Sequence, residues 1–472
     1  MKWIMFGPEI FFFFAALWFL TLSMVGKPAS KRDHLTALVL AGLGIVFSMA
    51  AVWQDGMLFM KAYRVDLFSQ VFKVMLSLGL FLVVCICGEL KDIRDRNRPE
   101  FFLLLFVCTL AMMLLVSGNH LLTIYVSLEL SSYSLYVLVT LRRQEDMGVE
   151  AGIKYFLVGI FASAIMLFGI GLVYGTTRAT YLDDLVLRIP QFVDQPAVLM
   201  GLLLTLGGFF FKLAVFPFHF WVADVYQGAN NQVTAFIATV SKVAAIAILV
   251  RLVASSGDGS TRLVQVLVGL SIVSMTLGNL AAITQQDLKR LLGYSTVAHA
   301  GYVLIGVLSL SRDGYAGAVF YAMAILLMKF TAFLVVVKVA EEGENLQVDQ
   351  LAGLHRRSPI LALALMVSLF SLAGIPPTIG FTGKFLVFVA AIQKGYLALV
   401  LIAMINVVVS LYYYLLVIRA AYLLEPKVDL PAISVSPGTR LLAGGLIVAM
   451  IVAGFSPYYL LELAQAAVGV LL

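Results

Sequence analysis

Five ionisable side chains fall near the middle of long apolar segments of the sequence: Glu129, Lys212, Lys242, Lys329 and Lys384. A charge at the centre of a bilayer costs about 3 kcal/mol on insertion scales, so five unpaired charges in lipid would cost more than ~10 kcal/mol. These side chains must therefore face one another, water or polar backbone. One carboxylate cannot pair with four lysines, and burial beside like charges favours the neutral form of a lysine. A lysine close to the balance between its two forms can accept and release a proton, as a proton path through a membrane requires.

Each of these residues also has a purely structural interpretation. Glu129 lies among serines that could hold a static carboxylate, and Lys212 could be a static cation in the same way. Lys242 lies among small residues, too far from either end of its segment for its ammonium to reach a membrane surface. Lys384 lies nearer the end of a long segment, from which a lysine side chain can extend to the interface. The sequence alone leaves these alternatives open, also for Lys329.

Two histidines are placed where they could bridge the lysines. His219 follows Pro217, and His299 lies early in a later apolar segment, STVAHAGYVL. Histidine titrates closest to physiological pH, so either residue could act as a proton relay. The alternative is a polar histidine whose hydrogen bonds are satisfied by backbone.

The composition places these residues in a membrane protein. The chain has 472 residues, of which 62% are hydrophobic and 12% charged, and its mean hydropathy is +1.00. A soluble protein of this size needs more polar surface, so the sequence predicts an all-α polytopic membrane protein with a single transmembrane domain, residues 1–472. At ~20 residues per crossing we expect about 14 spans. They lie near residues 8–25, 35–53, 67–87, 101–117, 119–141, 151–175, 199–226, 231–253, 263–283, 294–310, 316–338, 359–393, 397–423 and 439–462.

The seventh and twelfth spans are longer than one crossing needs, and both contain proline: Pro217 in the seventh, Pro376 and Pro377 in the twelfth. A proline inside a spanning helix frees a backbone carbonyl, which only protein or water can satisfy again. We therefore expect broken helices at these two places. Lys212 precedes its proline whereas Lys384 follows its own, and this swapped order is what a repeat with inverted topology would produce.

Loop charges predict the orientation of the chain. Alternate loops, starting with residues 26–34, hold most of the loop lysines and arginines, including those at 91–98 and at 142–143. Those loops should face the cytoplasm, which leaves both termini on the periplasmic side of a bacterial inner membrane. This excess of loop lysines and arginines explains the net charge of +6. The sequence contains no basic run interleaved with aromatic residues, so it does not predict nucleic-acid binding.

The three cysteines have no histidine nearby and no iron–sulfur or haem spacing, so we expect no metal and no redox cofactor in this chain.

Four long segments resemble one family of membrane proteins. They are VEAGIKYFLVGIFASAIMLFGIGLVYG, GGFFFKLAVFPFHFWVADVYQGANNQVTAFIATVSKVAA, SMTLGNLAAITQQDLKRLLGYSTVAHAGYVLIG and LAGLHRRSPILALALMVSLFSLAGIPPTIGFTGKF. In this order they resemble the antiporter-like subunits of proton-pumping NADH:quinone oxidoreductase, respiratory complex I, and among these the subunit N group. The resemblance implies two inverted five-helix repeats, spans 4–8 within residues 101–253 and spans 9–13 within 263–423. Peripheral helices 1–3 would occupy 1–100, and a last helix 439–462.

The resemblance also implies roles for the charged residues. Glu129 would pair with Lys212, Lys242 would continue the proton path, and Lys384 would lead to the exit side. Lysine and not glutamate at 384 favours subunit N over subunit M. Two positions that are usually proline in the family are Ala223 and Asn230 here, which puts the rigidity of that loop in question.

The expected function is therefore proton translocation in the membrane arm of complex I, driven by quinone reduction elsewhere in the complex. Flavin and iron–sulfur centres would belong to partner subunits, and the neighbours would be another antiporter-like subunit, small membrane subunits and lipid. The alternatives are a subunit of a multi-subunit Na⁺/H⁺ antiporter or of a membrane-bound hydrogenase, or a non-pumping spacer of the membrane arm. The sequence does not decide the role of Lys329, the quinone or the electron donor.

Overall fold

The structure is a computed structural model that describes residues 2–25, 29–88, 90–143, 145–192, 195–255, 261–426 and 431–471. Two short strands, β1 (Gly56–Leu58) and β2 (Tyr63–Val65), pair antiparallel between the second and third helices. The regular structure described is otherwise helical. The helices of the first half are α1 (Gly7–Val25), α2 (Ser30–Ala50), α3 (Leu67–Cys85), α4 (Arg98–Val116), α5 (Leu121–Thr140), α6 (Glu145–Thr177), α7 (Leu182–Phe192), α8 (Pro196–Leu213), α9 (Val222–Gly228), α10 (Asn231–Ala238) and α11 (Val240–Ala254).

The second half continues in the same way, with helices joined by short loops. Its helices are α12 (Thr261–Ile283), α13 (Leu288–Leu308), α14 (Arg312–Val339), α15 (Leu354–Arg357), α16 (Pro359–Ala373), α17 (Ile379–Gln393), α18 (Leu397–Leu423), α19 (Pro437–Phe455) and α20 (Tyr458–Gly469).

Thirteen helices in the described part of the chain are long and apolar enough to cross a membrane. Two shorter apolar helices, α16 and α17, lie in the segment predicted as the twelfth span. The all-α polytopic fold is therefore confirmed. The last predicted span, 439–462, is wrong at its end, because the helix ends at Phe455 and a separate helix begins after Pro457. The sequence reasoning also missed α7, whose short length and polar face lack the apolar run of a crossing.

Burial separates a core of helices from a lipid-facing rim. Nearly all residues of α10–α11, α13 and α14 are buried within the chain, whereas α1, α2 and α19 expose large apolar side chains. A helix that is apolar around its whole circumference is stable only inside a protein or in lipid. The core helices carry Lys242, His299 and Lys329, so these three polar groups lie where neither water nor lipid headgroups surround them.

Two helix breaks divide the seventh and twelfth crossings, as the prolines predict. The first follows α8, where Ala214 adopts a left-handed backbone with φ of 65°, and Pro217 comes three residues later. The second follows α16, where Gly374 has φ of 87° and Pro377 comes three residues later. Glycine takes this conformation without steric cost, whereas alanine pays about 1–2 kcal/mol for it.

The backbone closes both breaks in the same way. The amide of Val215 donates to Phe210 O at 2.8 Å, and that of Ile375 donates to Phe370 O at 3.0 Å, five residues back in each case. The matching geometry accords with related repeats around the two breaks. The boundaries of the two inverted five-helix repeats, and the division of the chain at residues 100, 253 and 423, stay predictions.

Candidate functional site

Glu129 and Lys212 lie close together in the core but do not form an ion pair. Ser163 Oγ on α6 donates to Glu129 Oε1. The Lys212 ammonium donates to Ser131 Oγ and, at 3.2 Å, to Ser132 Oγ. Both residues are almost fully buried and interact electrostatically. The two hydroxyls of α5 thus hold the lysine apart from the carboxylate that the family resemblance assigns to it as a partner.

Lys242 satisfies a backbone carbonyl that the first helix break exposes. Its ammonium donates to Lys212 O at 2.5 Å and lies 4.8 Å from the centre of the Trp221 ring. The last four carbonyls of a helix have no partner within the helix, and Lys212 is the penultimate residue of α8. A cation is also favoured at a helix C-terminus by the helix dipole. Lys242 therefore connects the axis of charges to the backbone of the break.

Lys384 occupies the equivalent position at the second break. Its ammonium donates to Leu372 O at 2.9 Å and to Ala373 O at 3.0 Å, the last two carbonyls of α16. The same ammonium lies 4.6 Å from the centre of the Tyr302 ring. Lys384 is buried, so the alternative that it extends to the membrane surface is not what the structure shows.

Lys329 and His299 lie between the two breaks. The Lys329 ammonium donates to Leu292 O at 2.8 Å and to Ser295 Oγ, both on α13. His299 Nδ1 lies 2.6 Å from the hydroxyl of Tyr321, and its Nε2 lies 3.3 Å from that of Tyr414. Imidazole and phenol groups can each donate and accept a hydrogen bond, so this cluster has the chemistry of a relay.

Six of the predicted residues lie in one row through the core. Lys242 interacts electrostatically with Lys212 and Lys329, and His299 does so with Lys329 and Lys384. The row runs through Glu129, Lys212, Lys242, Lys329, His299 and Lys384, and at most 9% of any of these residues is exposed. The partners described for the lysine ammonium groups of this row are hydroxyls, carbonyls and aromatic rings, not carboxylates.

His219 lies outside this row. It is buried between α8 and α9, and its ring lies 4.4 Å from that of Phe220 and 5.7 Å from that of Phe216. Among the described residues no hydrogen bond joins His219 to a lysine, and its Nδ1 has no partner. The relay role that the sequence allowed for His219 therefore has no described contact to carry it.

The comparisons with known proteins agree with this geometry. The sequence profile described as NADH:quinone oxidoreductase/Mrp antiporter, TM, matches residues 118–410. The chain belongs to this family. It is 66% identical over 472 residues to NADH-quinone oxidoreductase subunit N 2 of Syntrophobacter fumaroxidans, covering all of both chains. It is 39% identical over 464 residues to subunit N 2 of Opitutus terrae, covering 98% of this chain and 97% of the relative.

Solved structures give the same assignment. A chain of respiratory complex I from Thermus thermophilus with bound aureothin matches with a TM-score of 0.84 and 32% identity, over 97% of this chain and 99% of that chain. A chain of the Mrp complex from Dietzia sp. DQ12-45-1b matches with a TM-score of 0.87 and 22% identity, over 100% and 98%. The second match concerns the fold alone. The protein is therefore an integral, multi-pass membrane protein of the NADH:quinone oxidoreductase/Mrp antiporter family.

Asn230, where the family resemblance leads us to expect proline, is held by several hydrogen bonds. Asn230 Oδ1 accepts from the amides of Gln232 at 2.9 Å and Val233 at 3.3 Å, which caps the N-terminus of α10. Its Nδ2 donates to Asp92 Oδ1. An N-cap of this kind stabilises a helix start by about 1 kcal/mol, so Asn230 fixes this loop without a proline.

Arg142 joins four loops at the same end of the molecule, a role that sequence reasoning missed. Its guanidinium donates to Gln227 O and Gly343 O at 2.8 Å each and to Asn345 Oδ1 at 3.3 Å. Asp92 lies 3.8 Å away. Burial raises the pKa of the Asp92 carboxyl even though Arg142 opposes that change. The sequence indicates only that Arg142 is a loop charge that orients the chain, because the burial of a loop arginine leaves no pattern in the sequence.

A buried ion pair near the first helix was also missed. Lys73 Nζ on α3 lies 2.9 Å from Glu9 Oε1 on α1, with both side chains fully buried. The hydroxyl of Tyr63 donates to the same carboxylate oxygen at 2.5 Å. Close by, Arg251 binds Asp66 through two hydrogen bonds of 2.8 and 2.9 Å. Counting every charge inside a predicted span, and not only the central ones, would have found Lys73.

Proposed function

We propose that this chain is the subunit N type of proton-translocating subunit in the membrane arm of NADH:quinone oxidoreductase, and that it moves protons along the row from Glu129 to Lys384. The observation that carries the proposal is the buried row of titratable groups, in which the hydrogen-bond partners of the lysine ammonium groups are neutral. A static spacer would be expected to neutralise its buried charges in ion pairs, because an unpaired buried charge is costly. Glu9 and Lys73 are paired in that way, and the row is not.

The mechanism follows from which partner each lysine has. A carboxylate beside an amine favours its charged form, so movement of Glu129 toward Lys212 would load a proton there. With Glu129 held by Ser163 and Lys212 by two hydroxyls, that attraction is weaker and the proton can pass on through Lys242. His299, between the phenols of Tyr321 and Tyr414, would relay it toward Lys384. Moving one charge against 100 mV requires about 2.3 kcal/mol, which quinone reduction elsewhere in the complex would supply.

The proposal includes location and partners. The chain would lie in a bacterial inner membrane with both termini on the periplasmic side, since the basic loops favour a cytoplasmic position. Neighbouring antiporter-like and small membrane subunits would flank it. Flavin and iron–sulfur centres would reside in partner subunits, and this chain would hold none.

The experiment measures protons moved per electron in inverted membrane vesicles that contain the whole complex. Glu129→Gln and Lys212→Ala should each lower the proton ratio and the coupled quinone reductase rate, whereas Lys394→Met, an exposed lysine in a turn, should change neither. Native proton ratios in both core variants would reject the mechanism. Sodium-dependent activity, or copurification without NADH-oxidising subunits, would instead support the Na⁺/H⁺ antiporter or hydrogenase alternative.

A further inference from the structure

Two of the buried lysines lie against the face of an aromatic ring. The Lys242 ammonium is 4.8 Å from the centre of the Trp221 ring, and the Lys384 ammonium is 4.6 Å from the centre of the Tyr302 ring. An ammonium within about 6 Å of a ring centre is attracted by the negative face of the ring, and the attraction is largest where water is excluded. All four side chains are buried, so both contacts are of this stronger kind.

The other two lysines of the row are held by hydroxyl groups. Lys212 donates to two serines of α5, and Lys329 donates to Ser295 and to a carbonyl of α13. Among the described residues neither of these two lysines faces an aromatic ring. The lysines of the row therefore alternate between hydroxyl contacts and ring contacts, and the ring contacts are those at the two helix breaks.

The ring beside Lys242 is fixed by contacts of its own. Trp221 stacks on Tyr155, with ring centres 4.4 Å apart and an angle of 23° between the planes. Its Nε1 donates to Phe211 O at 3.1 Å, and the next carbonyl, Lys212 O, accepts from Lys242. The indole and the ammonium thus bind adjacent carbonyls at the C-terminal end of α8. The ring cannot turn away from the lysine without breaking these contacts.

The ring beside Lys384 joins two helices. Tyr302 lies on α13, and its hydroxyl lies 3.4 Å from Asn279 Nδ2 on α12. Its ring centre is 6.2 Å from that of Phe388 on α17. Since Lys384 is also on α17, the second half of the twelfth crossing contacts Tyr302 through an apolar ring and through a cation. The Tyr302 ring therefore holds Lys384 from the side opposite to its own helix.

We propose that Trp221 and Tyr302 are positioning residues of the proton path, which hold the ammonium groups of Lys242 and Lys384 at the helix ends and favour their charged forms. The inference rests on the proposed proton translocation. The ring face attracts an ammonium through its charge and has no such attraction for a neutral amine. Each ring therefore acts through its lysine, and a side chain of similar size without a π face cannot replace it.

The first experiment separates the ring of Tyr302 from its hydroxyl. Tyr302→Phe keeps the π face, so the whole complex in inverted vesicles should move close to the native number of protons per electron. Tyr302→Leu loses the ring and should lower this ratio several-fold. The control is Tyr412→Leu, at an exposed tyrosine of α18, which should be native. An equal loss in Tyr302→Phe and Tyr302→Leu, or a native ratio in Tyr302→Leu, would overturn the role of this ring.

The second experiment changes the charge distribution of the Trp221 ring and keeps its shape. Tryptophans with increasing numbers of fluorine atoms on the benzo ring are incorporated in place of Trp221. Fluorine withdraws electron density from the ring face, while the N–H group that donates to Phe211 O stays in place. The readout is the proton-pumping rate as a function of pH, with the amount of assembled complex measured in parallel. Trp53, which is 84% exposed, receives the same series as a control.

The alkaline limb of the pH profile should move to lower pH with each added fluorine, because the charged form of Lys242 loses part of its stabilisation. The total shift should be about one pH unit, equivalent to a roughly tenfold change in proton affinity. The other titratable groups on the helices that pack against α11 are the same throughout the series. They are Lys212 on α8, Lys329 on α14, Cys108 on α4, His299 on α13 and Lys73 on α3.

A ring that only fills space predicts one pH profile for the whole series. An alkaline limb that does not move with fluorine content at Trp221, or that moves equally for Trp53, would therefore overturn the role of this ring. If that occurs while Glu129→Gln and Lys212→Ala still lose pumping, only the role of the rings fails. If those two variants also pump normally, the proposed function fails with it.

Discussion

The buried pair of Glu9 and Lys73 allows a quantitative prediction about the peripheral helices. Both side chains have no exposed surface, and their N–O distance is 2.9 Å. The pair joins α1 to α3, and the hydroxyl of Tyr63 adds a hydrogen bond to the carboxylate. Removing one member leaves the other charge buried without compensation, which costs about 3–5 kcal/mol. Since each 1.4 kcal/mol is a factor of ten, the folding equilibrium should shift by roughly 10²-fold or more.

Glu9→Gln isolates the charge, because the amide oxygen still accepts from Tyr63. Lys73→Met removes the ammonium with little change in volume. The double variant Glu9→Gln/Lys73→Met has no charge left to compensate, and replacing a buried pair by uncharged groups is often neutral or stabilising. Each single variant should therefore unfold at a clearly lower temperature than the native chain in mild detergent, and the double variant should recover most of the difference.

The measurement is the thermal midpoint of the purified complex, with the amount of the chain in membranes as a second readout. The proton ratio should remain native in the double variant, because the pair lies outside the row from Glu129 to Lys384. The reasoning is refuted if the double variant is as unstable as the sum of the two single variants, which would show that the two side chains do not interact energetically. A loss of pumping in a stably assembled double variant would instead give the pair a role in transport.

Two further predictions concern the loops and the second helix break. Burial raises the pKa of the Asp92 carboxyl. Its neutral form therefore contributes stability that is fully present below about pH 4, the ordinary pKa, and is lost as the pH rises through the raised pKa. The thermal midpoint of Asp92→Asn should accordingly depend less on pH above about pH 4 than that of the native chain. A native pH dependence in this variant would assign it to another group. In Gly380→Ala the new Cβ would lie 1.9 Å from Ser371 O, so the two halves of the twelfth crossing must separate by about 1 Å or more. The quinone reductase activity of this variant should fall. The control Gly445→Ala, whose new Cβ meets open space, should have native activity. Full activity of Gly380→Ala would show that the contact is unimportant.

Apolar segments and prolines were sufficient to predict the crossings and both helix breaks. A crossing needs a long apolar run, and a proline in such a run cannot complete the helical hydrogen bonds. Helix α7 was not predictable in this way, because it is short and lies outside every apolar run. Pro457 marks the end of the last crossing by the same rule, but the predicted span runs on to residue 462 because the composition stays apolar beyond Ser456.

The site was predictable in its members but not in its contacts. A lysine in the middle of an apolar segment is recognisable from the sequence alone. This is how Lys212, Lys242, Lys329 and Lys384 could be selected. Their partners could not, because Lys242 binds a backbone carbonyl 30 residues away in sequence and no side-chain pattern encodes that acceptor.

The two breaks have a physical feature in common that links proton position to helix geometry. At each one a lysine ammonium binds the carbonyls at the C-terminal end of the first half-helix, Lys242 at α8 and Lys384 at α16. Those carbonyls and the helix dipole favour the charged lysine, and the favourable term disappears when the ammonium gives up its proton. The conformation of the break therefore changes the proton affinity of the lysine, and protonation of the lysine changes the conformational equilibrium of the break by the same free energy, because coupling between two equilibria is reciprocal. At the second break Lys384 belongs to the second half-helix, α17. Separation of α16 and α17 should there weaken the bonds of the ammonium and favour release of its proton, and a proton arriving at Lys384 should favour the closed break.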